Sequence, residues 1–266
     1  MIWQNKMLTL EQIKKYTADI KRPGLEKFAL VEYLQCEVLD SLYRQKKSEK
    51  ISFIGGTATR IIYGSTRFSE DLDFDNFGLS FADFDKLIFL TRKHLEEKGF
   101  EIETRLVEKG AYYCYLKFPK ILYDLKLSPL ISQKILVKID INEQKVVARP
   151  EVFYLNRFGL SSEILTNPAE IILAQKMIAA IERKTPKGRD FFDISFLYGF
   201  TKPDFNYIKE KQKLEGEEFI KKFILECKKL NFAVLARDVT PFLLRPEQIE
   251  RVTNFPQLFK QMVENK

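Results

Sequence analysis

Two aspartates separated by one residue, Asp71-Leu72-Asp73, carry the spacing in this chain that most directly specifies chemistry. In an extended segment residues i and i+2 share a face, about 7 Å apart at a rise of roughly 3.3 Å per residue. Carboxylates that close repel unless a positive group stands between them. A magnesium ion, which takes oxygen ligands, is the natural one. Leu72 and Phe74 then face the other way and anchor the strand in a core. Upstream, the apolar run 51–54 stops at Gly55-Gly56, and Thr57 opens a helix. Glycines admit a ligand close to the backbone, and the first N–H groups of a helix favour phosphate. By itself a Gly-Gly pair serves equally well as a tight turn. Arg67 and Ser69 follow before the aspartates, and an exposed acidic strand edge would not explain them.

A second set lies further on. Lys176 sits on an apolar helical stretch, flanked on one stripe by residues 172, 173, 179 and 180. A lysine there either snorkels to water or meets a buried anion, a triphosphate or Asp190. Removing so uncomfortable a group should leave stability nearly unchanged. Asp190 and Asp193 are spaced i, i+3 near the start of the next helix, where carboxylates also suit the helix dipole. Arg189 is suited to bidentate pairing with phosphate, or is simply solvated.

Other chemistries lack their residues. The single histidine, His94, lies in a charged helical stretch and reads as solvated, so serine or cysteine triads and two-histidine metal sites have nothing to build on. The three cysteines, Cys36, Cys114 and Cys227, are far apart and include no CxxC, so a disulfide framework is not expected and a reducing compartment is. Residues 1–6 carry no signal-peptide pattern, and no apolar run is long enough to span a membrane, so the cytoplasm is the expected location. Lys and Arg exceed Asp and Glu by 44 − 37 = 7, a surplus that suits a polyanionic partner such as RNA or reflects a basic proteome.

The elements that must position these residues follow from periodicity. A capping box, Thr9 to Gln12, starts a helix over 9–20, and apolar residues at Phe28, Val31, Leu34, Cys36, Val38 and Leu42 predict another over 24–46. Strands are expected at 51–54, 72–75, 100–107, 111–118, 121–127 and 134–141, with helices over 57–63 and from Ser80 to about Lys98. After Pro150 the character changes, with an apolar helix over 169–183, a break at 185–188, and further helices with Lys-rich faces. The reading is an α/β (α+β) domain over 1–150, a mixed sheet with flanking helices, followed by a mostly helical domain over 151–266 that contributes to the active-site cleft.

The segment Gly55-Gly56-Thr57-Ala58 with Arg67-Phe-Ser69-Glu-Asp71-Leu-Asp73-Phe74 resembles the nucleotidyltransferase superfamily. More narrowly, it resembles the AbiEii/AbiGii toxin family of bacterial toxin–antitoxin and phage-defence systems. That family's second signature, a helix lysine followed by Arg-Asp-x-x-Asp, is matched by Lys176 and by Arg189-Asp190-Phe-Phe-Asp193. The resemblance covers about residues 50–200. It implies a nucleotidyltransferase-type fold, Mg2+ or Mn2+ on Asp71 and Asp73, and catalytic roles for Lys176 and Asp190. It implies nucleotide binding by Gly55, Gly56, Thr57, Arg67, Ser69, Arg189 and Asp193. Many nucleotidyltransferases also carry a third carboxylate on a neighbouring strand, as base or metal ligand, and Asp140 in the apolar strand 134–141 is the candidate. The implied reaction moves a nucleotide from a nucleoside triphosphate to an acceptor, the tRNA 3′ end, with an antitoxin as partner. The alternatives are transfer of a nucleotide or phosphate to a protein hydroxyl, and a non-catalytic basic RNA- or protein-binding module.

Overall fold

The computed structural model describes residues 7–16, 24–144 and 148–264. The chain divides into two compact units. The first holds a sheet of seven strands, ordered β3-β4-β5-β2-β1-β7-β6. These strands are β1 (Ile51–Ile54), β2 (Asp71–Asn76), β3 (Glu103–Glu108), β4 (Tyr112–Phe118), β5 (Ile135–Glu143), β6 (Glu151–Arg157) and β7 (Leu160–Thr166). The mixed topology joins parallel pairs, β2 with β5 and β1 with β7, to antiparallel pairs β3–β4, β4–β5 and β6–β7.

The helices of this unit are α1 (Leu10–Lys15), α2 (Glu26–Tyr43), α4 (Phe81–Glu97) and α5 (Ile121–Asp124). Helix α1 starts with the expected capping box of Thr9 and Gln12. The rest of the helix expected over 9–20, at 17–20, and the reading of residues 1–6 lie outside the described residues. Helices α2 and α4 pack on each other and over one face of the strands. That face is apolar by strict alternation: Leu72, Phe74, Val137, Ile139, Ile141, Cys114 and Leu116 are all buried. Acidic groups on α2 are buried with partners. Glu37 and Asp40 take Lys98, and Glu32 takes Arg157. His94 is half-buried rather than solvated, its Nδ1 2.9 Å from the Ser41 hydroxyl.

Two expectations change. Residues 121–127 form a short helix and a turn, not a strand. Ile121, Leu122 and Leu125 are spaced for one helical face, and Lys120 and Lys126 take positive φ, 58° each, at its two ends. Residues 151–166, expected with the helical half, are instead the hairpin β6–β7. Their period-two burial continues the sheet, and the helices begin at Ala169.

The second unit contains Ile54–Ser69, with helix α3 (Gly55–Ile61), and the helices beyond Thr166. These are α6 (Ala169–Glu182), α7 (Gly188–Leu197), α8 (Phe205–Gln212), α9 (Gly216–Cys227), α10 (Phe232–Val239), α11 (Glu250–Thr253) and α12 (Phe255–Glu264). Aromatic rings fill its centre. Phe255 stacks on Phe232 and Phe259, at 5.6 and 5.5 Å between centroids, and meets the edge of Phe191 at 5.0 Å. Among the described residues no helix is long and apolar enough to cross a membrane.

Candidate active site

On β2 the alternation works as the spacing implies. Leu72 and Phe74 are fully buried, and Asp71 and Asp73 on the other face remain half-buried. Strand β5 lies parallel alongside, with Lys138 opposite Asp71 and Asp140 opposite Asp73. Three carboxylates and one ammonium therefore share this face of the sheet. Asp140 accepts hydrogen bonds from Lys138 Nζ at 2.9 Å and from Asn142 Nδ2 at 2.7 Å. Partial burial pulls the Lys138 ammonium toward neutrality, but its hydrogen bond to Asp140, that carboxylate's charge and then Asp71 outweigh it and raise its pKa. Lys138 was not anticipated, although it lies two residues before Asp140 and so on the same face of a strand. A groove of about 410 Å³ opens beside Asp71, lined by Lys27 and Phe28 of α2 and by Lys134 and Leu136 at the start of β5.

Among the described residues no three acidic, cysteine or histidine side chains converge enough to hold a metal unaided. Magnesium is generally held by one or two carboxylates, with water and substrate phosphates completing its shell. Asp71 and Asp73, hard oxygen donors on one strand face, fit that requirement.

In the second unit Lys176, Asp190 and Asp193 come together. Lys176 on α6 is nine-tenths buried, its Nζ 3.2 Å from Asp190 Oδ1 and 3.0 Å from Asp193 Oδ2. The sequence left it to snorkel or to meet an anion, and it meets two fully buried carboxylates on α7. Its removal would take a partner from two buried charges, so some loss of stability is expected where the sequence reading expects almost none. Arg67 reaches the same cluster, with Nε 2.7 Å from Asp193 Oδ1 and Nη2 2.5 Å from Oδ2. Burial pushes the Asp193 carboxyl up, but Arg67 and then Lys176 outweigh it and hold it below the ordinary range. Arg183, at the end of α6, places Nε 3.1 Å from Asp190 Oδ2. It lies seven residues after Lys176, two helical turns on, and that spacing could have flagged it.

Local backbone explains how Arg67 is aimed. Its strand-like segment bridges the 242–244 segment: Phe68 N–H donates to Phe242 O at 2.8 Å, and Leu244 N–H to Thr66 O at 3.0 Å. Arg67 is 1% exposed, and its third nitrogen donates to Phe68 O at 2.9 Å. Gly55 takes φ +80°, where a side chain would be strained. Gly56 is short of room instead, since a Cβ there would stand 2.4 Å from Arg67 Nη2 and 2.8 Å from Ser69 Oγ. The Gly-Gly pair thus serves the packing of Arg67 and Ser69 as well as the turn. Thr57 is buried, and Ser69 and Arg189 are half-buried. Gly188, just before Arg189, packs against the Leu235 carbonyl of α10 so closely that a Cβ would lie 1.8 Å from its oxygen.

A mixed sheet with an Asp-x-Asp strand behind a Gly-Gly turn, and a helix lysine held by an Arg-Asp-x-x-Asp helix, defines the nucleotidyltransferase class. The family model described as "Nucleotidyl transferase AbiEii toxin, Type IV TA system" matches residues 37–262, and the chain belongs to that family. It is similar in fold to MenT4, a nucleotidyltransferase toxin from Mycobacterium tuberculosis, at 15% identity over 96% of this chain and 90% of that one, with a TM-score of 0.61. It is also similar to a putative nucleotidyltransferase from Helicobacter pylori, at 18% identity over 91% and 98%, with a TM-score of 0.58. JHP933 of Helicobacter pylori shares 18% identity over 90% and 94%, with a TM-score of 0.57. No curated protein sequence matches the chain.

Proposed function

We propose that this toxin transfers a nucleotide from a nucleoside triphosphate to the 3′ end of an RNA, with tRNA as the expected acceptor, in a reaction that requires Mg2+ or Mn2+. The observation that carries the reading is the row of carboxylates on one sheet face: Asp71 and Asp73 on β2, with Asp140 opposite Asp73 on β5. In the reaction the acceptor hydroxyl oxygen bonds to the α-phosphorus, the bond to the bridging oxygen breaks, and pyrophosphate leaves. The hydroxyl proton passes to a carboxylate, for which Asp140 is the candidate. Asp71 and Asp73 would hold the metal, which neutralises phosphate charge and aligns the attacking and leaving oxygens.

The backbone at Gly55-Gly56, Thr57 and the Ser69 hydroxyl is assigned to phosphate. Lys176 is assigned to the charge that grows on the departing pyrophosphate, with Arg189 as a second phosphate contact. Arg67 and Asp193, both out of water, position Lys176 rather than touch the nucleotide, and Asp190 orients it from the other side. The family implies an antitoxin partner and a triphosphate substrate. An antitoxin encoded beside the toxin and a cytoplasmic location complete the reading.

The test is incubation of the purified chain with magnesium, each labelled triphosphate in turn, and total cellular RNA. Label should enter tRNA, EDTA should abolish it, and Asp71→Asn or Asp73→Asn should abolish it without lowering the unfolding temperature. Full transfer in EDTA, or in both variants, would overturn the metal assignment. Label on protein alone would point to a protein hydroxyl as acceptor. Salt-sensitive RNA binding without transfer would point to a non-catalytic module.

A further inference from the structure

The face of the sheet that carries the aspartates continues outward across β4 and β3. Register places Tyr115 opposite Lys138 and Arg105 opposite Tyr115, so Asp71, Lys138, Tyr115 and Arg105 form one row across four strands. A parallel row runs Asp73, Asp140, Tyr113, Val107. Strands lie about 4.8 Å apart, so each tyrosine stands about 10 Å from the β2 aspartate of its row, and Tyr113 about 5 Å from Asp140.

The two tyrosines differ from their neighbour. Tyr112, one position earlier on β4, turns to the covered face and stacks on Phe84 at 5.6 Å. Tyr113 and Tyr115 are half-buried on the open face, and neither stacks on another aromatic ring among the described residues. Lys138 Nζ lies 4.8 Å over the Tyr113 ring, so one face of that ring already carries a cation and a base would have to take the other. Arg105 and Lys117 are exposed on the same face, Lys117 one pair along β4 from Tyr115. Ring faces with cations beside them suit a flexible polyanion with flat bases: stacking on aromatics holds the bases and the cations meet the phosphates.

We propose that Tyr113 and Tyr115, with Arg105 and Lys117, form the platform that receives the single-stranded 3′ end of the acceptor RNA. A base stacked there stands about 10 Å from the β2 carboxylates, within reach for the terminal ribose hydroxyl to meet Asp71 and Asp73. The proposal rests on the reading of the chain as an RNA-directed nucleotidyltransferase and adds where the acceptor lies. A duplex end keeps its bases paired and stacked, so this surface selects unpaired 3′ ends.

The experiment measures binding of a short fluorescein-labelled single-stranded RNA by anisotropy, and transfer kinetics with RNA and with triphosphate varied separately. Stacking of one base on an aromatic is worth about 1–3 kcal/mol, so Tyr113→Ala or Tyr115→Ala should weaken RNA binding about fivefold or more. The KM for RNA should rise with it, and the KM for triphosphate should stay. Tyr113→Phe and Tyr115→Phe should restore binding. Tyr154→Ala, at a tyrosine 67% exposed on edge strand β6, should change nothing. Arg105→Glu and Lys117→Glu, surface changes that leave the core intact, should weaken binding even where a tyrosine variant folds poorly. Wild-type RNA affinity in the alanine and charge-reversal variants, with transfer to RNA intact, would overturn the platform and leave the reaction standing. Label on protein alone would overturn both.

Discussion

Arg67 grips Asp193 across 126 residues of sequence through two parallel hydrogen bonds, with both side chains out of water. Lys176 leans on the same carboxylate from α6, so one aspartate holds two cations.

Removing one member of a buried, hydrogen-bonded ion pair strands the other charge and generally costs about 3–5 kcal/mol. Arg67→Ala should fall near the lower end, because Lys176 still faces Asp193. Arg67→Lys should recover only part of the loss, since an ammonium cannot reproduce the planar fork. Equilibrium urea unfolding checks both, and an Arg67→Ala protein as stable as wild type would remove the pair from the account.

The same cluster sets an acid limit. The folded pKa of Asp193 lies below its ordinary value of 3.8, because Arg67 and Lys176 outweigh burial. A carboxyl with a depressed folded pKa contributes stability above its unfolded value and loses it as pH falls through the folded one. Stability from this group should therefore be complete above about pH 4 and decline below it. Asp193→Asn should be less stable at neutral pH and show a shallower acid limb, measured as unfolding free energy against pH.

Gly56 and Gly64 should answer differently to alanine. At Gly56 the new methyl would meet the end of Arg67, which cannot swing away because Asp193 holds it, so overpacking should cost about 1–3 kcal/mol. At Gly64 nothing lies within 4 Å, and only the φ of +74° is strained, a loss of about 1–2 kcal/mol. Transfer should fall with Gly56→Ala, which disturbs Arg67 and Ser69, and persist with Gly64→Ala. Equal activity in the two would separate Arg67 packing from catalysis.

Lys176→Met keeps most of the length of the side chain and removes its charge. Transfer should drop on the order of a hundredfold or more, as when a transition-state donor is lost. Stability should drop as well, because Asp190 and Asp193 are fully buried and lose a shared partner. Loss of stability with transfer intact would make Lys176 a structural lysine.

Much of this was legible in the chain. Asp71, Leu72, Asp73 and Phe74 alternate as the spacing required, and the meeting of Lys176 with Asp190 was one of two open readings for a lysine on an apolar stripe. What could not be read was pairing over distance. Nothing local says that Arg67, which looks like a phosphate ligand beside Ser69, is bound to Asp193. Pro150 and a change in composition suggest a boundary that places residues 151–166 in the helical half, whereas the strand order of this hairpin is set by neighbours far away in sequence. Residues 121–127 misled for a different reason: a short apolar run fits a strand or a single helical turn, and the two positive-φ lysines beside it leave no local signature.

Residues 54–69 leave the sheet after β1, belong to the helical unit, and return as β2. This detour has a consequence for synthesis on the ribosome. The Gly55-Gly56 turn and Arg67 emerge early, but Asp193 is made 126 residues later and the 242–244 segment that bridges Arg67 later still. At roughly 5–20 residues per second, that delay is on the order of ten seconds. The nascent chain therefore carries the Asp-x-Asp strand before it has the partners that hold Arg67, so the segment ahead of that strand takes its fixed arrangement only once most of the chain has been translated.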